Sequence, residues 1–178
     1  MGNFKEDIAA VKAMVFDIDG VFTDGSITPT PDGDWLRTYN AHDSYALTYA
    51  IREGYLIGII SGGRGELVKS RFAMLGVKHA YFNCYDKEEA LEDFLSQHGL
   101  DAQDVLYMGD DVPDVGVMRR VGMPVCPADA CSEVIEASRY VSEFCGGKGA
   151  VRDIVEQVLR SQDEWAKDRT GVLGVASR

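Results

Sequence analysis

Short runs that are apolar at every position alternate along this chain with longer stretches in which apolar residues recur at helical spacing. The runs are Ala13–Phe16, Leu56–Ile60, a weaker one around Ala80–Phe82, Val105–Met108 and Pro124–Cys126, with Tyr140-Val141 as a short edge candidate. Four or five residues apolar on both faces suit a strand of a parallel sheet that is covered on both sides. Between the runs, Ser44–Glu53 carries a stripe of Ala46, Leu47, Ala50 and Ile51, and Glu66–Leu75 carries Leu67, Val68, Phe72 and Leu75. Lys87–His98 carries Ala90, Leu91, Phe94 and Leu95. Gly76 and Gly99 stop the last two of these helices. Val115–Val121, Cys131–Ser138 and Val151–Leu159 supply the remaining helices. Strand and helix in strict alternation build right-handed βαβ units, so the expected class is α/β with a doubly wound, Rossmann-like parallel sheet.

One segment breaks the alternation. Between the first strand and the first long helix, Asp32-Gly33 lies between two β-prone stretches, a hairpin signal. A β-hairpin spanning residues 25–40 is therefore expected to project just after the first strand. Residues 1–169 read as one domain, and 170–178 as a glycine-containing tail expected to be mobile.

Composition narrows the picture. The chain has 178 residues, 46% of them hydrophobic and 26% charged, enough for one well-packed soluble domain. A net charge of -11 with no basic stripe argues against nucleic acid, and no apolar run is long enough to span a membrane. The N-terminus carries acidic residues and lacks signal-peptide architecture, so a cytoplasmic location is expected. Cys84, Cys126, Cys131 and Cys145 form no CxxC and read as reduced core residues rather than zinc ligands. The acidity also means that any anionic substrate needs cations placed locally.

In a doubly wound sheet, ligands bind beyond the carboxyl ends of the strands. The first predicted strand ends in Asp17-Ile18-Asp19-Gly20, followed by Thr23 and Asp24; the second ends in Ser61-Gly62-Gly63-Arg64. Lys87 follows the third, and Gly109-Asp110-Asp111 closes the fourth, with Asp114 beyond. Asp17, Asp19 and Asp110 would repel one another unless a hard cation sits among them, and Mg²⁺ suits an all-oxygen set that leaves room for a substrate phosphate. Capping of turns and helix starts accounts for Asp24 and Asp114 taken singly, but poorly for the whole set. Ser61 and Gly62 offer a hydroxyl and backbone amides to an anion.

The ordered set Asp17-x-Asp19-Gly20, Ser61, Lys87, Asp110-Asp111 resembles the haloacid dehalogenase-type phosphatases over nearly the whole chain. The resemblance implies that Asp17 is the nucleophile and Asp19 the general acid and base. It implies that Ser61 and Lys87 hold phosphate oxygens, and that Mg²⁺ is held by the Asp17 carboxylate, the Asp19 backbone carbonyl and Asp110. Asp111 is expected to support the metal site or to orient Lys87. Neither 24–61 nor 61–87 has room for a cap domain. The hairpin, Arg71-Phe72-Ala73-Met74-Leu75-Gly76, Val112-Pro113-Asp114 and Gly146-Gly147-Lys148-Gly149 resemble one capless group, the 3-deoxy-D-manno-octulosonate (KDO) 8-phosphate phosphatases. That likeness implies a sugar-acid phosphate substrate from lipopolysaccharide biosynthesis. It also implies a homotetramer in which a neighbour's hairpin or tail closes the site, with Trp35 at the interface. Substrate contacts are expected from Thr23, Ser61, Gly62, Lys87 and Arg64, with Arg71 assisting Arg64 at the substrate carboxylate and Lys148 near the crevice. Asp43-Ser44 stands where the group has Asp-Gly before the first helix, with Ser44 expected as a cap. The rival readings are a phosphatase of a nine-carbon sialic-type acid 9-phosphate, a receiver-type signalling module and a degenerate binding domain. A receiver carries its acidic pair after the first strand, and Asp19 favours turnover over a lasting phospho-enzyme. A degenerate domain would have lost motif residues that this chain retains.

Overall fold

A computed structural model describes residues 4–167; the tail expected at 170–178 lies outside them. The four residues of β1 (Ala13–Phe16) are all buried, because the strand lies at the centre of a sheet covered on both faces. It pairs in parallel with β4 (Leu56–Ile60) on one side and β6 (Val105–Met108) on the other. Parallel pairing extends outward to β5 (His79–Tyr81) beyond β4, and to β7 (Met123–Cys126) and β8 (Tyr140–Val141) beyond β6, in the order β5-β4-β1-β6-β7-β8.

Alternation of side chains along each strand divides the core in two. Met14, Phe16, Ile57, Ile59, Leu106 and Met108 face α2 (Ala41–Arg52), α3 (Glu66–Met74) and α7 (Ala150–Ser161). Ala13, Val15, Ile60, Val105 and Tyr107 face α4 (Lys87–His98), α5 (Val115–Met118) and α6 (Ser132–Ala137). Helix α7 buries Val151, Ile154, Val155, Val158 and Leu159, a stripe with the i, i+3, i+4 spacing of an amphipathic helix.

Two features depart from the sequence reading. A helix not anticipated there, α1 (Phe4–Ala9), stacks Phe4 on Tyr140 at 5.0 Å and buries Ile8 in the first core layer. Ser44 is not a cap. Helix α2 begins three residues earlier, where the Asn40 side chain accepts from the His42 amide. Asp43 is fully buried and caps a different helix: its carboxylate accepts from the Gly149 and Arg152 amides at the start of α7, at 3.2 and 2.8 Å.

The hairpin forms as expected, with β2 (Thr28–Pro29) antiparallel to β3 (Trp35–Leu36). Gly33 takes a φ of +88° in its turn, a conformation open to glycine at little cost. The hairpin is pinned to the body of the protein. One Asp34 oxygen accepts from the Trp35 amide (2.7 Å) and the other from the Leu67 amide at the start of α3 (3.0 Å).

Candidate active site

From β1 the chain runs outward to β4 and β5, then crosses back to β6 and continues to β7 and β8. The carboxyl ends of β1 and β6 therefore flank the point where the winding reverses, the place such sheets offer to ligands. A crevice of about 460 Å³ opens there, lined by Asp17, Asp19, Ser61, Gly62, Gly63, Lys87, Asp110, Asp111 and Asp114 from the strand ends, and by Trp35, Cys84 and Tyr85.

Asp17 continues the sheet, its amide bonded to the Met108 carbonyl at 3.0 Å. Beyond it the chain curls about one acceptor: the amides of Val21, Phe22 and Thr23 converge on the Ile18 carbonyl at 3.2, 2.9 and 3.3 Å. This curl separates Asp17 from Asp19. It requires glycine at position 20, where φ is +85° and a β-carbon would collide with the Asp110 carboxylate.

Lys87, the first residue of α4, is buried, and its Nζ lies 3.2 Å from Asp17 Oδ2 and 2.7 Å from Asp114 Oδ1. Burial works against its charge, but Asp17 and Asp114 outweigh burial and hold its pKa above the usual lysine value. Asp114 is the organiser of the cluster. Its Oδ1 also accepts from the Tyr107 hydroxyl at 2.5 Å, and its Oδ2 accepts from the amides of Asp110 and Asp111 at 3.1 and 3.4 Å. It orients Lys87, the part expected of Asp111. The Asp111 carboxylate instead turns back to accept from the Val112 amide at 2.8 Å, because it caps the short 3₁₀ turn Val112–Asp114.

The residues present fit a divalent cation. Asp17, Asp110 and Asp114 bring carboxylate oxygens within 4.8 Å of one another. Asp110 Oδ1 is buried and has no hydrogen-bond partner, a costly state for an anionic oxygen and one that a bound cation relieves. Burial first, then repulsion from Asp17, pushes Asp110 up to about 8. Burial, then repulsion from Asp114, pushes Asp17 well above the usual carboxylate range despite Lys87.

Asp19 lies at the rim. Its carboxylate is gripped by Arg37 of the hairpin, Nε to Oδ1 at 2.6 Å and Nη2 to Oδ2 at 2.9 Å. Ser61 is buried at the end of β4, where its hydroxyl accepts from the Gly63 amide at 3.0 Å.

Other expected contacts fall elsewhere. Thr23 is fully buried beneath the curl, its hydroxyl oxygen accepting from the Gly20 and Gly25 amides, so it shapes the loop and does not line the crevice. Arg71 turns toward α2, donating to Ser44 Oγ at 2.7 Å and stacking 5.4 Å over Tyr39. Arg64 is not among the lining residues; its guanidinium lies 4.9 Å over the ring of Trp35, which is one of them. Lys148 pairs with Asp24 at 3.7 Å and lines a separate cavity with His42 and Arg152. Trp35, expected at an interface between subunits, lines the crevice of its own chain. Of the four cysteines only Cys126 is buried; Cys84 lines the crevice and Cys145 is exposed. The sequence reading passed over Arg37 and Tyr107; the one available signal for Arg37 was a cation on the hairpin of an acidic chain.

Comparison with known proteins agrees with this geometry. Residues 81–151 match the haloacid dehalogenase-like hydrolase family. The chain is 35% identical over 152 residues to the KDO 8-phosphate phosphatase of Escherichia coli K12, spanning 85% of this chain and 81% of that protein. The crystal structure of the Yersinia pestis KDO 8-phosphate phosphatase superposes with a TM-score of 0.87 at 33% identity, covering 90% of this chain and 86% of that one. The Moraxella catarrhalis enzyme, solved with magnesium, phosphate and KDO, gives 0.86 at 28% identity, covering 89% and 91%. At this identity and coverage the chain belongs to the haloacid dehalogenase-like hydrolases, in the capless family of the KDO 8-phosphate phosphatases.

Proposed function

We propose that this protein is a magnesium-dependent phosphomonoesterase that hydrolyses KDO 8-phosphate to KDO and phosphate through an aspartyl-phosphate on Asp17. The observation that carries the reading is the buried charge cluster at the β1–β6 reversal. There Lys87 holds one oxygen of Asp17 and the unpartnered oxygen of Asp110 lies beside it. The relatives named for this substrate, and the one solved with magnesium, phosphate and KDO, support the substrate and the cation.

Asp17 attacks phosphorus while Asp19 gives its proton to the leaving sugar alkoxide; Asp19 then takes a proton from the water that cleaves the aspartyl-phosphate. Lys87 fixes the Asp17 carboxylate, and with the Ser61 hydroxyl and Gly62 amide it holds the phosphate oxygens. Mg²⁺, held by Asp17, Asp110 and the Asp19 backbone carbonyl, neutralises charge on the transferring group. Asp111 serves the loop from which Asp110 projects. Arg64, resting on Trp35, meets the substrate carboxylate.

Assembly as a homotetramer through the hairpins belongs to the same proposal. Ile27 and Leu36 on the hairpin and the neighbouring Leu67 are exposed apolar side chains on one pinned unit. A cytoplasmic location also belongs to it, and the free state of all four cysteines fits a reducing compartment.

The test is phosphate release from KDO 8-phosphate, nine-carbon acid 9-phosphates and neutral sugar phosphates, with Mg²⁺, with EDTA and with Asp17→Asn. A preference for KDO 8-phosphate that disappears with EDTA and in the variant is expected. Preference for another phosphate refutes the substrate, and magnesium-independent release refutes the mechanism. Mass measurement in solution checks the tetramer.

A further inference from the structure

The general acid of the proposed reaction is not free. Both oxygens of Asp19 are taken by N–H donors of one guanidinium, in the two-pronged geometry of the strongest arginine–carboxylate contacts. The Arg37 side chain is only 1% exposed, so the pair is shielded from water on the arginine side. The fork takes one lone-pair position on each oxygen and fixes the plane of the carboxylate, so the group cannot swing toward a leaving oxygen while Arg37 holds it. In this arrangement Asp19 is parked.

The surroundings indicate what releases it. The Trp35 ring on the crevice wall has two guanidiniums against it, Arg64 at 4.9 Å and Arg37 at 5.7 Å. Asp19 is the anion for Arg37, whereas Arg64 makes no ion pair among the described residues. Position 63 shows how close these groups lie: a β-carbon there would come within 3.0 Å of Arg37 Nη2, 3.1 Å of Ser61 Oγ and 3.4 Å of Asp19 Oδ2. A corner with two arginines and one carboxylate accepts a second carboxylate.

We propose that Arg37 is a specificity-determining latch: it parks Asp19 until a substrate carboxylate takes over its guanidinium, beside Arg64, and frees Asp19 to act on the leaving oxygen. The proposal rests on the sugar-acid phosphatase reading and predicts that phosphates without a carboxylate turn over poorly. They leave Arg37 nowhere else to go. In the exchange one ion pair replaces another, and the freed Asp19 carboxylate takes up a proton from solvent, which it then gives to the leaving oxygen.

The experiment measures kcat/KM for KDO 8-phosphate and for the carboxylate-free arabinose 5-phosphate, in the wild type, Arg37→Met and Arg37→Lys. Loss of one charge-assisted contact should lower kcat/KM for KDO 8-phosphate by about tenfold or more in Arg37→Met. The same variant should raise the value for arabinose 5-phosphate several-fold. A gain on the carboxylate-free substrate cannot come from misfolding. Arg37→Lys, which keeps the charge but not the fork, should fall between the two. Equal losses on both substrates, or an unchanged ratio, would overturn the latch. If the wild type ignores KDO 8-phosphate while Arg37→Met still gains on arabinose 5-phosphate, the substrate reading fails and the latch stands. If the variant gains on nothing, the latch fails whatever the substrate.

Discussion

Removing the divalent cation should make this protein sensitive to alkaline pH in a way that magnesium reverses. The carboxylates of Asp17, Asp110 and Asp114 lie within 4.8 Å of one another, with the Lys87 ammonium beside Asp17 and Asp114. At an effective dielectric constant of ~20, two charges at that distance repel by about 3.5 kcal/mol. Asp110 is pushed from 3.8 to about 8, so its folded-state pKa lies above the unfolded value. The sign follows: stability is intact below about pH 4, and is lost as pH rises toward 8 and the folded protein is forced to ionise a group the unfolded chain ionises freely. The full shift corresponds to a ceiling of about 6 kcal/mol. Screening in an open crevice reduces this to about 2–3 kcal/mol, or roughly 5–10 °C in Tm for a chain of this size. Thermal unfolding with EDTA and with Mg²⁺ at pH 5 and pH 8.5 measures it. The magnesium-induced rise in Tm should be small at pH 5 and several degrees larger at pH 8.5. Asp110→Asn should raise the Tm of the metal-free protein at pH 8.5 and abolish most of the magnesium response. A magnesium effect of the same size at both pH values, or an Asp110→Asn protein less stable without metal, would refute the electrostatic account.

Asp114→Asn should lower kcat by more than tenfold in steady-state assays, because an amide cannot serve as ion partner to Lys87 while also accepting from Tyr107 and two backbone amides. Gly20→Ala should weaken magnesium activation by tenfold or more, measured by titrating activity with Mg²⁺, since the new β-carbon displaces the Asp110 carboxylate. Asp43→Ala should destabilise the fold by about 2–3 kcal/mol in denaturant titration and leave KM unchanged, because it uncaps α7 away from the crevice.

How far the sequence could be read depends on how local each feature is. The strands β1, β4 and β6 are legible to the residue because both of their faces are apolar and they end abruptly in polar clusters. The crevice set is legible for the same reason: Asp17, Ser61 and Asp110 each stand one or two residues beyond such a run. Roles decided by distant partners are not. Asp43 reads as part of the entry to α2, yet it serves amides more than a hundred residues away. Asp114 reads as a helix cap, and only the packing of α4 against the loop after β6 makes it the partner of Lys87. Arg71 lies on α3, the helix that follows the Ser61 loop, but is drawn off by Ser44 and Tyr39. Arg37 reaches Asp19 only because Asp34 ties the hairpin to α3 and folds it back over the crevice.

The acidity of the chain, -11 overall, is sharpest at the site itself. Asp17, Asp19, Asp110, Asp111 and Asp114 all line the crevice, and the two cations that reach them are already engaged, Lys87 with Asp17 and Asp114, Arg37 with Asp19. A phosphate dianion approaching this surface meets net repulsion, because both cations already have carboxylate partners. Two bound charges from a hard cation at Asp17 and Asp110 offset those two carboxylates, and they do so where the phosphorus must arrive. The metal therefore governs phosphate binding as well as catalysis. Inorganic phosphate should bind measurably by calorimetry with Mg²⁺ and not with EDTA, and equal binding in both would mean that Lys87, Ser61 and Gly62 suffice alone.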